Sequence, residues 1–436
     1  MSRHVGLDFG TTNSSLAIVD DDGSVAVTTF RVDADAVADS FRSVAYFDQP
    51  RKQGMSMIRS PALAGPAASA RYLQAQTKGR LVQSLKSFAA SSLFTTTNIF
   101  GKVYTFEHLV AVIVKALTEE AAAQHGPLGP AITVGRPVTF VGAEDGAADA
   151  FAIQRLTSAL ESCGFSSVRF AYEPIGAAYS YGRELDRDEL VLIADFGGGT
   201  SDFSIVRVGP EARATLSMEE RILGNEGVAL AGDSFDACLI RHLVSPQLGL
   251  DSSIRSTLGK SLPVPSWLFS RLERWHYLSF LKAEAGRIRS LITQADEPQK
   301  LEALLYIVEN DLGYDLHQAV QRTKVNLSAQ ASTTFSFLEH DLTIVQEVAR
   351  SDFEDWIQPH LASVESCVDT LLTSAEVSPD RIDRVFLTGG SSFVPAVRDI
   401  FYRRFGADRV EMGDEFTSVA RGLALLAAEE YGRHTR

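Results

Sequence analysis

Asp8-Phe-Gly-Thr-Thr-Asn-Ser14 and Asp195-Phe-Gly-Gly-Gly-Thr-Ser201 are two copies of one turn, set 187 residues apart. Asp, Phe, Gly and Ser repeat at that offset, and Ile18 and Val19 return as Ile205 and Val206. Apolar runs flank them: Val5–Leu7 and Leu16–Val19 around the first, Leu190–Ala194 before the second. The pattern predicts strand, turn, strand, twice over. Glycines let a backbone approach an oxyanion, and successive N–H groups in such a turn form an anion-binding nest. Thr11, Thr12, Asn13 and Thr200 add hydroxyl and amide groups. An Asp closing each strand repels phosphate but can hold Mg2+, directly or through water, and so bridge to phosphate oxygens. Asp8 and Asp195 are therefore the candidate metal residues, and a Mg-nucleotide the candidate ligand. Either turn alone reads equally well as a plain hairpin loop. The pair points to two related halves sharing a ligand across a cleft.

Working outward, Val25–Phe30 and Val44–Phe47 continue a β-rich opening. Pro61 to Ala75 reads as a loop leading into helix. Leu109, Val110, Ile113, Val114 and Leu117 recur at helical spacing within Glu107–Ala123. Ala131–Val134 and Val168–Tyr172 read as strands, with a helix over Glu144–Cys163 between them and a small-residue helix over Pro174–Tyr181 after them. Phe235–Val244 and Trp267–Ile292 read as helices separated by a Pro-bearing loop, Ser245–Ser266. Trp267, Trp275 and Tyr277 read as core residues. Thr333–Phe337, Leu342–Val345 and Arg384–Thr388 read as strands. Val348–Leu372 reads as a helix interrupted near Pro359. Pro395–Phe405 and Thr417–Glu430 read as further helices. Strands alternating with helices on this scale predict an α/β architecture.

The chain of 436 residues is long for one core, so two lobes are expected. Its 41 basic and 55 acidic side chains leave a net charge of −14, which argues against non-specific binding to nucleic acid or anionic lipid. The three cysteines include no C-x-x-C pair, and the nine histidines form no metal motif. No run approaches the length of a membrane span, and Met1 leads directly into a strand with no leader-like segment. A cytoplasmic protein is expected.

Other phosphate motifs fail. Gly259-Lys260-Ser261 resembles the end of a Walker A loop, but Ile254 stands where its first glycine belongs. Asp-Phe-Gly occurs twice without the H-R-D loop of a protein kinase.

The motifs resemble, in order, those of the nucleotide-binding domain of the seventy-kilodalton heat-shock (Hsp70, DnaK-type) chaperones. Val5-Gly-Leu-Asp-Phe-Gly-Thr-Thr-Asn-Ser14 is similar to their first phosphate loop. Leu192-Ile-Ala-Asp-Phe-Gly-Gly-Gly-Thr-Ser-Asp202 is similar to their second. Ala171-Tyr-Glu-Pro-Ile-Gly-Ala-Ala-Tyr-Ser-Tyr-Gly182 resembles an interlobe helix. Ala231-Gly-Asp-Ser-Phe-Asp236 and Leu387-Thr-Gly-Gly-Ser-Ser-Phe-Val-Pro395 resemble the Gly-Gly-x-x-Phe-Asp segment and the adenosine loop. Arg350-Ser-Asp-Phe-Glu354 resembles the start of a late helix. The resemblance implies the two-lobed, actin-like (ribonuclease H-like) ATPase fold shared with actin and sugar kinases. It implies residues 1–187 and 411–436 as lobe I, and 188–410 as lobe II with a mostly helical subdomain over about 235–330. It leaves no room for a peptide-binding sandwich, and in length the chain is similar to the truncated DnaK-like proteins of the YegD type.

Carried over residue by residue, the resemblance implies that Asp8 holds Mg2+ through water, with Asp195 as a second metal contact. Gly10, Thr11, Thr12 and Asn13 would contact phosphate. Lys86 would stand beside the γ-phosphate, and Glu173 and Asp195 would orient or deprotonate the attacking water. Gly197, Gly198, Gly199 and Thr200 would cradle phosphate, with Asp202 supporting their loop. Gly232, Lys324, Ser328, Gly389, Gly390 and Ser391 would meet the nucleoside. Each has a plainer reading as well: Lys86 as a solvated lysine, Glu173 as a helix cap, Gly389-Gly390 as a tight turn. One departure stands out. The adenine-reading run is Gln321, Lys324, Val325 and Ser328, with Val325 where the family places a stacking arginine. The implied function is a slow, chaperone-type ATPase that binds ATP and ADP with Mg2+, switches with nucleotide and serves an unidentified protein partner, with the region 235–330 as a candidate docking segment. A small-molecule kinase and an actin-like filament protein are the alternatives on the same fold.

Overall fold

The computed structural model describes residues 3–20, 22–31, 37–53, 56–75, 79–143, 145–256, 259–274, 278–339, 342–412 and 418–434. The chain forms two compact units. The first comprises Met1–Ala231, Ser363–Ser392 and Val397–Arg436, and the second comprises Gly232–Ala362 with Phe393–Ala396.

The first unit contains one sheet built twice. The first copy uses β1 (His4–Phe9), β2 (Asn13–Val19), β3 (Val25–Val27), β4 (Ala131–Arg136) and β5 (Ser167–Tyr172), in the order β5-β4-β1-β2-β3. The second uses β6 (Glu189–Phe196), β7 (Ser201–Val208), β8 (Ile222–Val228), β9 (Arg384–Thr388) and β10 (Val410–Met412), in the order β8-β7-β6-β9-β10. In each copy the first three strands form an antiparallel meander, and the next two join parallel to the first strand. The register repeats as well. Asp8 opposes Ser15 and Phe9 opposes Ser14, while Asp195 opposes Asp202 and Phe196 opposes Ser201. The offset seen in sequence is therefore an offset in hydrogen-bonded pairing.

Burial on both faces explains the apolar strands. Val5, Leu7 and Phe9 pack with α1 (Phe106–His125) and α2 (Gly146–Ser162) through Leu109, Ile113, Leu117, Leu156 and Leu160. Each such side chain removed from water stabilises the fold by about 1.5–3 kcal/mol. Thr105 caps α1 by accepting from His108 N, and Asp145 caps α2 by accepting from Ala148 N. The other face meets a second core, where α3 (Glu173–Gly182) and a C-terminal helix, Ser418–His434, lie among Ala17, Val19, Val191, Ile193, Val206 and Val208. These two helices cross at Gly176 and Gly422, where a Cβ on Gly422 would enter the Gly176 carbonyl.

The second unit is mostly helical, including a helix over Gly313–Ala329, with a hairpin of Ser332–Glu339 and Leu342–Ala349. Several details differ from expectation. Val25–Phe30 is broken, since pairing with β2 ends at Val27 and Phe30 pairs elsewhere. Ser245–Ser266 contains a 3-10 turn, Ser245–Leu248, and a small hairpin of Ser253–Arg255 and Ser261–Pro263. Trp267–Ile292 is divided into Trp267–Leu272, Leu278–Ala283 and Ala285–Ile292. Trp267 is only half-buried, with the Arg271 and Arg287 guanidiniums over its ring. Trp275, Tyr277, Glu144 and Thr417 lie outside the described residues. Val348 and Ala349 end a strand, and the helix Arg350–Ser374 passes through Pro359 unbroken. Pro359 is on the solvent face while Ile357 and Leu361 are buried, so water can satisfy the carbonyl that the proline leaves free.

Candidate functional site

The ends of β1 and β6 bring Asp8 and Asp195 into one electrostatic neighbourhood with Lys86 and Glu173. Lys86 lies on a single 3-10 turn, Leu85–Phe88, and Glu173 opens α3. Both are buried, at 6% and 5% exposure, and their side chains form an ion pair. Burial opposes the Lys86 ammonium, but the charges of Glu173 and Asp8 outweigh it and raise its pKa. Lys86 is thus no solvated lysine, and Glu173 does more than cap a helix.

The acids outnumber the bases here. Burial, followed by the charge of Glu173, pushes the Asp8 carboxyl well above the usual range, with Lys86 acting against it. Burial and Glu173 raise Asp195 to about 6, although Thr388 Oγ1 donates to Asp195 Oδ1 at 2.7 Å. Burial and Glu173 raise Asp202 to about 8. Asp202 Oδ1 accepts from Val138 N at 2.6 Å, Thr200 acts against the rise through its hydroxyl, and among the described residues the buried Oδ2 has no hydrogen-bond partner. Four carboxylates around one ammonium form a site that calls for added positive charge. Among the described residues, no three acidic, His or Cys side chains converge as a ready cage.

The two turns meet beside the segment that carries Lys86. A Cβ on Gly199 would lie 3.6 Å from Thr11 Oγ1 and 3.5 Å from Ser87 Oγ, so the first turn, the second turn and the lysine turn converge. Ser43 supports the first turn, its N–H donating to Thr12 O at 2.9 Å and its hydroxyl bonding Ser14 Oγ at 2.8 Å. Gly10 and Asn13 belong to that turn. The second closes through Gly197 N to Thr200 O at 2.9 Å, with Gly198 between. Gly389 abuts the second turn, since its Cβ would strike Phe196 O, and Gly390 and Ser391 follow on a short 3-10 turn.

Gly232, Lys324 and Ser328 sit together in the second unit. Lys324 pairs with Asp236 at 2.8 Å and donates to Gly232 O at 3.2 Å, while Ser328 Oγ donates to Lys324 O at 3.0 Å. Val325, on the same helix, is 65% exposed.

Residues 63–254 and 306–435 match the family model described as Hsp70 protein. The chain belongs to the Hsp70 family. Its mixed α/β architecture, with the sheet and turn built twice, is the two-lobed, actin-like ATPase fold of that family. The chaperone protein DnaK of Thermus thermophilus is 25% identical over 447 residues, covering 98% of this chain and 61% of its own. DnaK of Deinococcus radiodurans is 26% identical over 444 residues, covering 98% and 59%. DnaK of Prochlorococcus marinus is 24% identical over 438 residues, covering 98% and 58%. This Hsp70-family chain thus spans about three fifths of the length of the curated relatives it matches.

Sequence reasoning missed four residues that shape the site: Thr388, Val138, Ser43 and Gly135. Thr388 was accessible, because it immediately precedes Gly389-Gly390 at a strand end. Val138 acts through its backbone, which no side-chain pattern reveals. Ser43 comes from a separate segment. Gly135 matters for the space it leaves: a Cβ there would lie 2.8 Å from Glu173 Cγ.

Proposed function

We propose that this Hsp70-family chain binds Mg-ATP and hydrolyses it slowly, as a nucleotide-driven switch rather than a metabolic catalyst. The observation that carries this is the buried Lys86–Glu173 pair among Asp8, Asp195 and Asp202, beside two copies of one Gly/Thr/Ser turn. Bound Mg-ATP would supply the phosphoanhydride bond and a cation to neutralise phosphate charge. Thr11, Thr12, Asn13, Gly198, Gly199 and Thr200 would orient the phosphates through backbone and hydroxyl donors. Asp8 and Asp195 would hold the hydrated metal. Lys86 would stabilise charge gathering on the transferred group, and Glu173 and Asp195 would position the attacking water. Phosphoryl transfer depends mainly on such positioning and neutralisation.

Gly232, Lys324, Ser328, Gly389, Gly390 and Ser391 are assigned to the nucleoside by the resemblance alone, and Val325 predicts weak selection for adenine. The lobe boundaries at 187/188 and 410/411, and a protein partner for the region 235–330, belong to the same proposal. Kinship with the truncated DnaK-like proteins of the YegD type rests on the resemblance alone and belongs to the same proposal. Three unpaired cysteines are in keeping with a reducing compartment, and no described helix is long and apolar enough to cross a membrane.

The test is ATP binding and phosphate release, with and without Mg2+. The wild type is expected to release phosphate only with Mg2+. Asp195→Asn is expected to retain ATP binding and to turn over about 100-fold more slowly. Undiminished release by that variant overturns the role given to Asp195.

A further inference from the structure

We propose that Arg155 is the positioning residue for Lys86, a role that rests on the ATPase reading above. Lys86 needs external support. It occupies one turn of 3-10 helix, preceded by Ser84 in the left-handed region at φ 51° and ψ 33°, a conformation that costs a non-glycine residue energy. Leu85, Ala89 and Ala90 pack into the core, but the backbone hydrogen bonds described within this stretch are all short-range: Ser87 N to Ser84 O, Ala89 N to Lys86 O and Ser91 N to Phe88 O, each at 3.1 Å. The next strand starts at Thr96.

Arg155 adds long-range polar ties to that core packing. It reaches from α2 and is 5% exposed. Its Nη1 donates to Phe88 O at 3.3 Å, Ala89 O at 3.4 Å and Ser91 O at 3.1 Å, and its Nη2 donates to Phe94 O at 2.7 Å. Nε donates to Glu107 Oε1 at 2.8 Å, which ties the group to α1 and neutralises it. The guanidinium carbon lies 4.0 Å from the Phe106 ring centroid and 5.1 Å from that of Phe151. A planar fork of five donors can gather carbonyls from four residues, and a lysine cannot. One buried guanidinium therefore clamps the chain directly after Lys86 to two core helices, while touching none of the acidic residues around Lys86. Displacing a charge-stabilising group by about 1 Å can cost about 100-fold in rate.

The experiment is a double-mutant cycle with an exchange measurement. Arg155→Met is expected to slow ATP hydrolysis about 10- to 100-fold, with nucleotide affinity within about threefold of wild type. In a Lys86→Met background, adding Arg155→Met is expected to slow hydrolysis no further, since the two act as one unit. Losses that multiply, or hydrolysis unaffected by Arg155→Met, would overturn the proposal. Hydrogen exchange in nucleotide-free protein is expected to show the amides of Ser87, Ala89 and Ser91 about tenfold faster in Arg155→Met, with β1 unchanged. Unchanged exchange at those three amides would overturn it too. Should the methionine variant fail to fold, Arg155→Lys serves in both arms, because it keeps the charge and loses the fork. A wild type that hydrolyses no ATP defeats the ATPase reading, and the exchange arm still decides whether Arg155 holds the lysine turn.

Discussion

Beside Asp195, at the end of the second duplicated strand, stands Thr388; Gly135 holds the corresponding place beside Asp8. β9 pairs with β6 as β4 pairs with β1, with Asp195 opposite Thr388 and Leu7 opposite Val134 one step before Gly135. The threonine donates a hydrogen bond to its aspartate. The glycine leaves space, and Glu173 fills it. A second asymmetry lies across the turns, where Ser15 faces Asp8 but Asp202 faces Asp195. The same backbone thus carries a buried ion pair on one side and an extra buried acid on the other. Duplication supplies the same turn twice, and small side-chain differences give each copy different surroundings.

The comparison can be broken most forcefully at Gly135. Gly135→Ala adds a methyl group against Glu173 and is expected to displace the Lys86–Glu173 pair, slowing phosphate release about 10- to 100-fold. A variant with normal release would mean that the empty space beside Asp8 has no part in the asymmetry.

A smaller effect is expected from Asp202→Asn. The native Asp202 keeps its proton to about pH 8, whereas an unfolded carboxyl loses it near pH 4. Between those values the native state binds more protons, so Asp202 contributes stability at low pH that is lost as pH rises through its folded pKa. Asn cannot titrate and still accepts from Val138 N. Thermal melts of nucleotide-free protein at pH 6 and pH 9 are expected to show the wild-type decline reduced by on the order of 5 °C in the variant. An identical decline in both proteins would remove Asp202 as its source.

The smallest effect is expected from Thr388→Val. Loss of its hydrogen bond removes a stabiliser of ionised Asp195, so that pKa rises from about 6. Hydrolysis that requires ionised Asp195 should then turn on about one pH unit higher, with the plateau rate little changed. A pH–rate profile that does not move would show that Asp195 ionisation does not limit the reaction.

Much of this was legible before any coordinates. The 187-residue offset exposed the duplication and singled out Asp8 and Asp195, whereas Lys86 and Glu173 came only from the resemblance to the Hsp70 family. Turn chemistry is local, and because either turn alone also suits a hairpin loop, it was the repeat that pointed to a ligand. The helical middle was less legible, because Trp267–Ile292 has continuous helical character yet breaks into three pieces. Pro359 misled in the opposite direction, since packing of Ile357 and Leu361 holds its helix straight through a residue that locally disfavours it.

By itself, the sequence determined that an Asp-led Gly/Thr/Ser turn with the chemistry of an anion nest occurs twice, and that apolar strands flank each copy. Both are properties of short stretches, where a few adjacent groups dictate backbone shape and donor chemistry. Only the tertiary structure decided that Lys86 is buried against Glu173, that Gly135 makes room for it, that Val138 donates its amide to Asp202, and that Arg155 grips the chain after Lys86. Those contacts join residues remote in sequence, and their chemistry depends on burial: a low-dielectric interior raises the carboxyls of Asp195 and Asp202, and no local pattern encodes that surrounding.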